Sequence, residues 1–237
     1  MSIFRFKQFS VNQESSPAKI TTDATVFASS LHISSDVKRV LEIGTGTGVL
    51  SLMLAQRYPE IEIEALEINP KAFEVADKNF KNSRWSSRLK ALLVDFNKFE
   101  SSKEYDLIFS NPPFFQNNLQ SEVNHGKNIA YHTNSLSFAN LAKGINLHLS
   151  RNGEAHIMLP PYEMSLLDKE MNELGLFCKN IIELMHKPNS KIIRTFNIYE
   201  RVEHRSPAPY VKIYVRDENN DFHPSYIKLM KDYLTIF

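Results

Sequence analysis

Val40-Leu41-Glu42-Ile43-Gly44-Thr45-Gly46-Thr47-Gly48 decides the fold of this chain. Its first four residues are an apolar run carrying one acid, which reads as a short buried strand. The three glycines that follow let the backbone turn sharply and come close to a ligand, and residues 49–57 continue as an apolar helix. Strand, glycine turn and helix in that order open a parallel α/β sheet. The dinucleotide fingerprint G-x-G-x-x-G would need a third glycine where Val49 stands. This chain has G-x-G-x-G instead, with Glu42 just before it.

Working outward, the alternation continues. Residues 61–66 read as a second strand, with Ile61, Ile63 and Ala65 alternating against glutamates, and Asn69-Pro70 opens a helix that runs to Phe80. Residues 89–94 and 105–110 are a third and a fourth strand. A polar loop over 116–133 precedes a helix over 136–149; Asn152-Gly153 turns into a fifth strand over 154–159, and Pro160-Pro161 starts a helix ending near Gly175. Strands alternating with helices predict a doubly wound, mostly parallel sheet. Beyond Cys178 the pattern changes: 178–185, 192–199 and 210–215 read as strands with no helix between them, so an antiparallel edge is expected, and 225–234 reads as a helix. Upstream, residues 22–31 form a helix with Thr22 or Asp23 near its cap. The expected division is an extension, 1–35, packed on one domain, 36–237.

The strand ends carry the chemistry. Glu67 closes the second strand, about twenty residues beyond the glycine turn, where a carboxylate can accept both hydroxyls of a ribose. Asp95 closes the third, a place suited to the polar edge of an adenine ring. Asn111-Pro112-Pro113-Phe114 follows the fourth. Two successive prolines end a strand abruptly, because neither donates to a ladder and each fixes its φ. The resulting stiff corner carries an amide, a carbonyl and an aromatic ring at the edge where open α/β sheets bind ligands. Together these residues outline a nucleoside cofactor lying across the carboxyl edge of the sheet, beside a place for a planar nitrogen-bearing substrate.

Composition sets limits. Lys plus Arg number 28 against 27 for Asp plus Glu, so a polyanion must be met by a local patch and not by global charge. The single cysteine, Cys178, cannot form an internal disulfide, in keeping with a reducing cytosol. No apolar run reaches the roughly 18 residues that span a membrane, and residues 1–7 carry no signal-peptide core. No Cys/His spacing supports zinc, which leaves His125 and His132 as loop polar groups. A soluble cytoplasmic monomer without metal is expected.

The glycine turn, the acid after the second strand and the Asn-Pro-Pro-aromatic corner resemble class I S-adenosylmethionine-dependent methyltransferases that modify amino nitrogens. The whole chain is similar to the bacterial tRNA(Val) adenine N6-methyltransferases, on Phe4-Arg5-Phe6-Lys7-Gln8-Phe9, Lys19-Ile20-Thr21-Thr22-Asp23-Ala24, Asn111-Pro112-Pro113-Phe114-Phe115, Ser135-Leu136-Ser137-Phe138 and the ending 226–237. The resemblance implies a Rossmann-like, seven-stranded α/β methyltransferase fold with S-adenosyl-L-methionine as cofactor and tRNA as substrate. It implies Asn111, Pro112, Pro113 and Phe114 as catalytic residues, with Gly44, Gly46, Gly48, Glu42, Asp23, Glu67, Asp95 and Asn111 around the cofactor. Asp23 also reads as a plain helix cap. Phenylalanine at position 114 instead of the commoner tyrosine keeps guanine N2 of ribosomal RNA, DNA adenine and a protein glutamine amide open as targets. A non-catalytic nucleotide- or RNA-binding module would keep the glycine turn without needing Asn111.

Two basic stretches are candidates for RNA contact: Lys187, Lys191, Arg194, Arg201 and Arg205 in one, and Arg5, Lys7 and Lys19 interleaved with Phe4, Phe6 and Phe9 in the other.

Overall fold

The central strands of the sheet are built from runs that bury side chains on both faces, and helices cover those faces. A computed structural model of the chain describes residues 3–14, 16–17, 19–113 and 136–237. In chain order the elements are β1 (Ile3–Arg5), β2 (Ser10–Asn12), α1 (Thr22–Ser30), β3 (Arg39–Ile43), α2 (Val49–Arg57), β4 (Glu62–Glu67) and α3 (Pro70–Lys81). Then come β5 (Leu89–Leu93), β6 (Tyr105–Ser110), α4 (Phe138–His148), β7 (Leu149–Leu159), α5 (Pro161–Glu173), β8 (Phe177–Met185), β9 (Ile192–Glu200), β10 (Tyr210–Tyr214) and α6 (Pro224–Met230).

The described residues form an eight-stranded sheet in the order β10-β8-β9-β7-β6-β3-β4-β5 and a separate β1-β2 hairpin. The chain leaves β3 toward β4 and β5, then returns to β6 on the other side of β3. Pairing is parallel from β5 through β7; β9 inserts antiparallel between β7 and β8. The seven strands that the resemblance implies are therefore eight, as many as the runs in the sequence. The last, β10, departs from the expected antiparallel edge: it pairs parallel with β8, Tyr210 opposite Ile181 through Tyr214 opposite Met185. The reason is geometric. β9 ends where β8 begins, and the link to β10 passes across β8 at that end, so β10 sets out from the same end as β8 and runs with it.

Val40 faces one hydrophobic cluster, with α1, α2, the β1-β2 hairpin and α6, while Leu41 and Ile43 face the other, with α4 and α5. Local signals account for the helix starts. Asn69 caps α3 by accepting from the Lys71 and Ala72 amides, with Pro70 in the first turn. Thr21, one residue before the expected cap, caps α1 by accepting from Ala24. From Ala24 to Ser30 every residue of α1 is buried, and its hydroxyls find partners locally: Ser29 Oγ donates to the Val26 carbonyl and Ser30 Oγ to that of Phe27. At the far end of β7 the strand begins at Leu149, earlier than expected, and Asn152 and Gly153 lie within it, where the register against β6 shifts between Tyr105 and Leu107.

Candidate active site

The return of the chain from β5 to β6 makes the β3/β6 boundary a topological switch point, and the crevice outside the carboxyl ends of those strands is where an open α/β sheet binds ligands. Ile43 and Ser110, the last residues of β3 and β6, stand opposite each other in register. Ser110 Oγ donates to the Ile43 carbonyl at 2.7 Å, locking the two ends together. One residue beyond this pair the chain enters the glycine turn on one side and the Asn111 corner on the other, so the two motifs are brought within about one strand spacing, ~4.8 Å. Asn111 is half-buried, Pro112 buried and Pro113 exposed. Phe114 and the loop over 116–133 lie outside the described residues.

The glycine turn is held on β4. The amides of Gly44 and Thr45 both donate to the Leu66 carbonyl at 2.9 Å. Gly44, Gly46 and Gly48 have φ of 76°, 59° and 80°, the left-handed region that L side chains avoid. They divide the work. A Cβ on Gly44 would meet nothing within 4 Å, so this part of the turn faces open space; one on Gly48 would come within 2.6 Å of the Phe80 ring. Gly48 lets α3 pack against the turn, and Gly44 leaves the open face of the turn without a side chain.

Beneath the turn, Glu42 is fully buried. Its Oε2 accepts from Thr45 Oγ1 at 2.7 Å and from Ser51 Oγ, while Oε1 has no hydrogen-bond partner. Burial pushes its carboxyl up to about 7, the hydroxyls of Ser51 and Thr45 opposing the shift and the nearby Glu67 charge adding to it. Glu67, at the end of β4, braces the turn from the side: Oε2 accepts from the Gly46 amide at 2.8 Å and Oε1 from the Asn69 amide at 2.9 Å. Sequence reading places Glu67 at a ligand and misses this second task, which the paired spacing to Gly46 and Asn69 alone does not reveal. Asp95 accepts from the Asn97 amide and side chain, and Asn97 in turn accepts from Asn140 on α4.

Asp23 is engaged from β9. It forms an ion pair with Arg194 at 2.9 Å and accepts from the Ala24 amide. Thr45, Ser51 and Ser110 hold the acid and the strand ends in place and were not among the expected site residues; hydroxyls at positions facing a buried acid or a strand end are their only sequence signal.

The basic stretches are sorted by topology. β9 runs the length of the sheet, so Lys187, Lys191 and Arg194 lie at the carboxyl end of β6, and Arg201 and Arg205 at the opposite end. Arg201 is a strut: it donates to the Asn146 side chain and carbonyl and to the Leu149 carbonyl. The N-terminal aromatics serve packing, with Phe6 stacked on Phe9 at 4.4 Å and Phe9 edge-on to Trp85 at 5.5 Å. Among the described residues no group of three or more His, Cys, Asp or Glu side chains could hold a metal ion, and no helix is long and apolar enough to cross a membrane.

Residues 16–137 match the family described as methyltransferase small domain. The tRNA1(Val) (adenine(37)-N6)-methyltransferase of Dyadobacter fermentans is 38% identical over 84% of this chain and 82% of its own. The chain belongs to this family. Its member from Trichodesmium erythraeum is 33% identical over 97% of this chain and 96% of its own, so the likeness runs through the N-terminal hairpin and the eighth strand as well as the glycine turn. A predicted O-methyltransferase from Agrobacterium tumefaciens superposes with a TM-score of 0.66 at 16% identity, covering 88% of this chain and 95% of that one. That likeness establishes the Rossmann-like methyltransferase fold for the family member described here.

Proposed function

We propose that this chain transfers a methyl group from S-adenosyl-L-methionine to the exocyclic N6 of an adenine in tRNA, at position 37 beside the anticodon of tRNA-Val, as its relatives' names state for them. One observation carries the reading: Asn111 and Pro112 stand at the switch point, pinned by Ser110 to β3, directly across from the glycine turn. The residues fit the cofactor. Gly44 faces open space, and Glu42 Oε1, buried and without a partner, is a natural acceptor for the ammonium of its methionine part. Gly46 and Gly48 shape the turn beneath it, and Glu67 takes the ribose with lone pairs its two amide partners leave free. Asp95 faces the adenine, and Asp23 is an outer acid held by Arg194.

When bound, the cofactor supplies an electrophilic methyl group on a sulfonium. The protein supplies geometry. The adenine amine is a poor nucleophile because its lone pair is delocalised into the ring. Asn111 Oδ1 and the Pro112 carbonyl accept its two hydrogens, which favours the tetrahedral nitrogen and aims its lone pair. Pro113 stiffens this corner, and stacking on the base is the part expected of Phe114, which lies outside the described residues. No strong general base is required, because the proton leaves a nitrogen that has become cationic. An anticodon-loop base is extruded at small cost. Residues 1–35 serve as an extension that braces the domain 36–237, supported by the Phe6–Leu234 bridge and by Asn79, which bonds both Asn12 and the Thr47 carbonyl. The enzyme acts as a cytoplasmic monomer.

The test is incubation with labelled S-adenosylmethionine and, separately, total tRNA, ribosomal RNA, DNA and protein, followed by nucleoside analysis. Label in N6-methyladenosine of tRNA is expected; label confined to any other acceptor overturns the reading.

A further inference from the structure

A cavity of about 510 Å³ opens on the same edge of the sheet as Asn111, among the N-terminus of α1, the ends of β8 and β10 and the start of α6. Counting strands outward from β6, the ends of β9 and β8 lie two and three places away, roughly 10–15 Å at the usual strand spacing. That is close enough for neighbouring nucleotides of one loop to reach both places.

The cavity wall holds a prebuilt stack. The Arg216 guanidinium lies over the Phe222 ring, 3.8 Å from its centroid, and Phe222 stacks on Tyr226 at 5.3 Å with 15° between the planes. Phe237 closes the stack edge-on, at 5.1 Å from Phe222. Both faces of Phe222 are thus covered, and the surface left to a ligand is the guanidinium. Arg216 is held in place: its side chain donates to the Asn220 carbonyl at 3.1 Å and its amide to the His186 carbonyl at 2.8 Å. His186 is exposed in the same wall, and the tight turn that follows, closed by Ser190, carries Lys187 and Lys191. A fixed, charged plane beside exposed cations suits a nucleobase whose strand carries phosphates.

We propose that this cavity is a second nucleotide subsite, in which a base of the RNA strand flanking the methylated adenine stacks on Arg216 while the Lys187–Lys191 turn meets the adjoining phosphates. The proposal rests on the tRNA reading above. Its role is to anchor the loop once the target base has left the stack, since the extruded adenine alone offers little area for recognition. Two acids stand in the neighbouring turn, Asp217, whose carboxylate accepts from the Asp221 amide at 2.9 Å, and Asp221 itself. They weaken any purely electrostatic hold on phosphate by Arg216, which favours stacking as its contribution.

The probe is an anticodon stem-loop RNA of tRNA-Val carrying 2-aminopurine at one loop position at a time, titrated with the full-length protein. Quenching on binding at a position flanking the target is expected, together with a Kd raised about 5- to 100-fold in Arg216→Ala, the range of one base stack. Arg216→Lys keeps the charge and loses the plane, so it is expected to behave like Arg216→Ala. Full affinity and quenching in Arg216→Lys would assign Arg216 to phosphate and overturn the subsite, as would unchanged binding in Arg216→Ala. Cofactor affinity and melting temperature, measured on the same samples, separate loss of the subsite from loss of fold. If the wild-type protein neither binds nor methylates the RNA, the tRNA reading itself falls; if it methylates and the Arg216 variants match it, only the subsite falls.

Discussion

Replacing Glu42 with glutamine is expected to abolish a large pH dependence of stability. In the folded chain this carboxyl titrates at about 7, because it is sealed beneath the glycine turn and two hydroxyls do not offset the loss of water. Unfolded, it titrates near the ordinary glutamate value of 4.5. The folded state therefore holds a proton that the unfolded state releases, so stability is fully present below about pH 4 and is lost as pH rises through 7. A gap of about 2.5 units corresponds to about 3 kcal/mol, most of it lost between pH 5 and 8. For a chain of this size that is a fall of roughly 6–12 °C in melting temperature. Histidines and surface acids also titrate in this window, so the quantity to measure is the difference between wild type and Glu42→Gln. Urea unfolding at half-unit intervals from pH 4.5 to 8.5 supplies it. Glutamine keeps the acceptor for Thr45 and Ser51 and cannot ionise, so its stability curve is expected to run flatter by about 3 kcal/mol. A variant with the wild-type slope would refute the reasoning, since the buried acid would then not be the group that titrates. Adding saturating S-adenosylmethionine to the wild type provides a second check. A cation at the unpartnered Oε1 favours the ionised acid, so the cofactor is expected to stabilise wild type more at pH 8 than at pH 5, and the variant equally at both.

Other expectations follow from the same geometry. Asn111→Ala is expected to bind cofactor as wild type does while turnover falls on the order of 10²-fold, by analogy with loss of an oxyanion donor; steady-state kinetics on tRNA with calorimetry for the cofactor decide it. Gly48→Ala meets both a left-handed φ and the Phe80 ring, and is expected to cost about 2–4 kcal/mol of stability by chemical unfolding. Gly44→Ala meets only the φ penalty, about 1–2 kcal/mol, but places a methyl in the open face of the turn, so its main loss is expected in cofactor affinity. Arg201→Ala is expected to lower the melting temperature with RNA affinity unchanged, because its contacts are to Asn146 and Leu149 at the far end of the sheet. Lys187→Ala and Lys191→Ala are expected to do the reverse, each reducing the slope of log Kd against log salt by about one.

Read from residues alone, the strand-glycine-helix opening and its repetition were sufficient for the α/β class, because buried parallel strands and capped helices leave local patterns of apolar runs, glycines and prolines. The two site motifs were equally visible, since each needs particular residues: glycines for positive φ, and paired prolines for a rigid corner. Glu67 and Asp95 were legible as strand-end acids. That Glu67 also braces Gly46 and Asn69 was not, because a hydrogen bond between a strand end and a turn twenty residues earlier depends on how β3 and β4 register.

Tertiary structure decided the rest. Only the order of strands shows that the glycine turn and the Asn111 corner flank one switch point, since nothing in the chain near Ser110 says that β6 returns beside β3. The basic stretch 187–205 is continuous in sequence yet divided by the length of β9, which carries Lys187 and Lys191 to the site and Arg201 away from it. The Phe4, Phe6 and Phe9 ladder looks like a base-stacking surface and packs on the core, while the stack of Arg216, Phe222 and Tyr226 has no local pattern and forms the wall of a cavity at the carboxyl edge of the sheet. Sequence records which groups a segment can offer; whether they face solvent, core or substrate is settled by long-range packing, which no window of neighbours encodes.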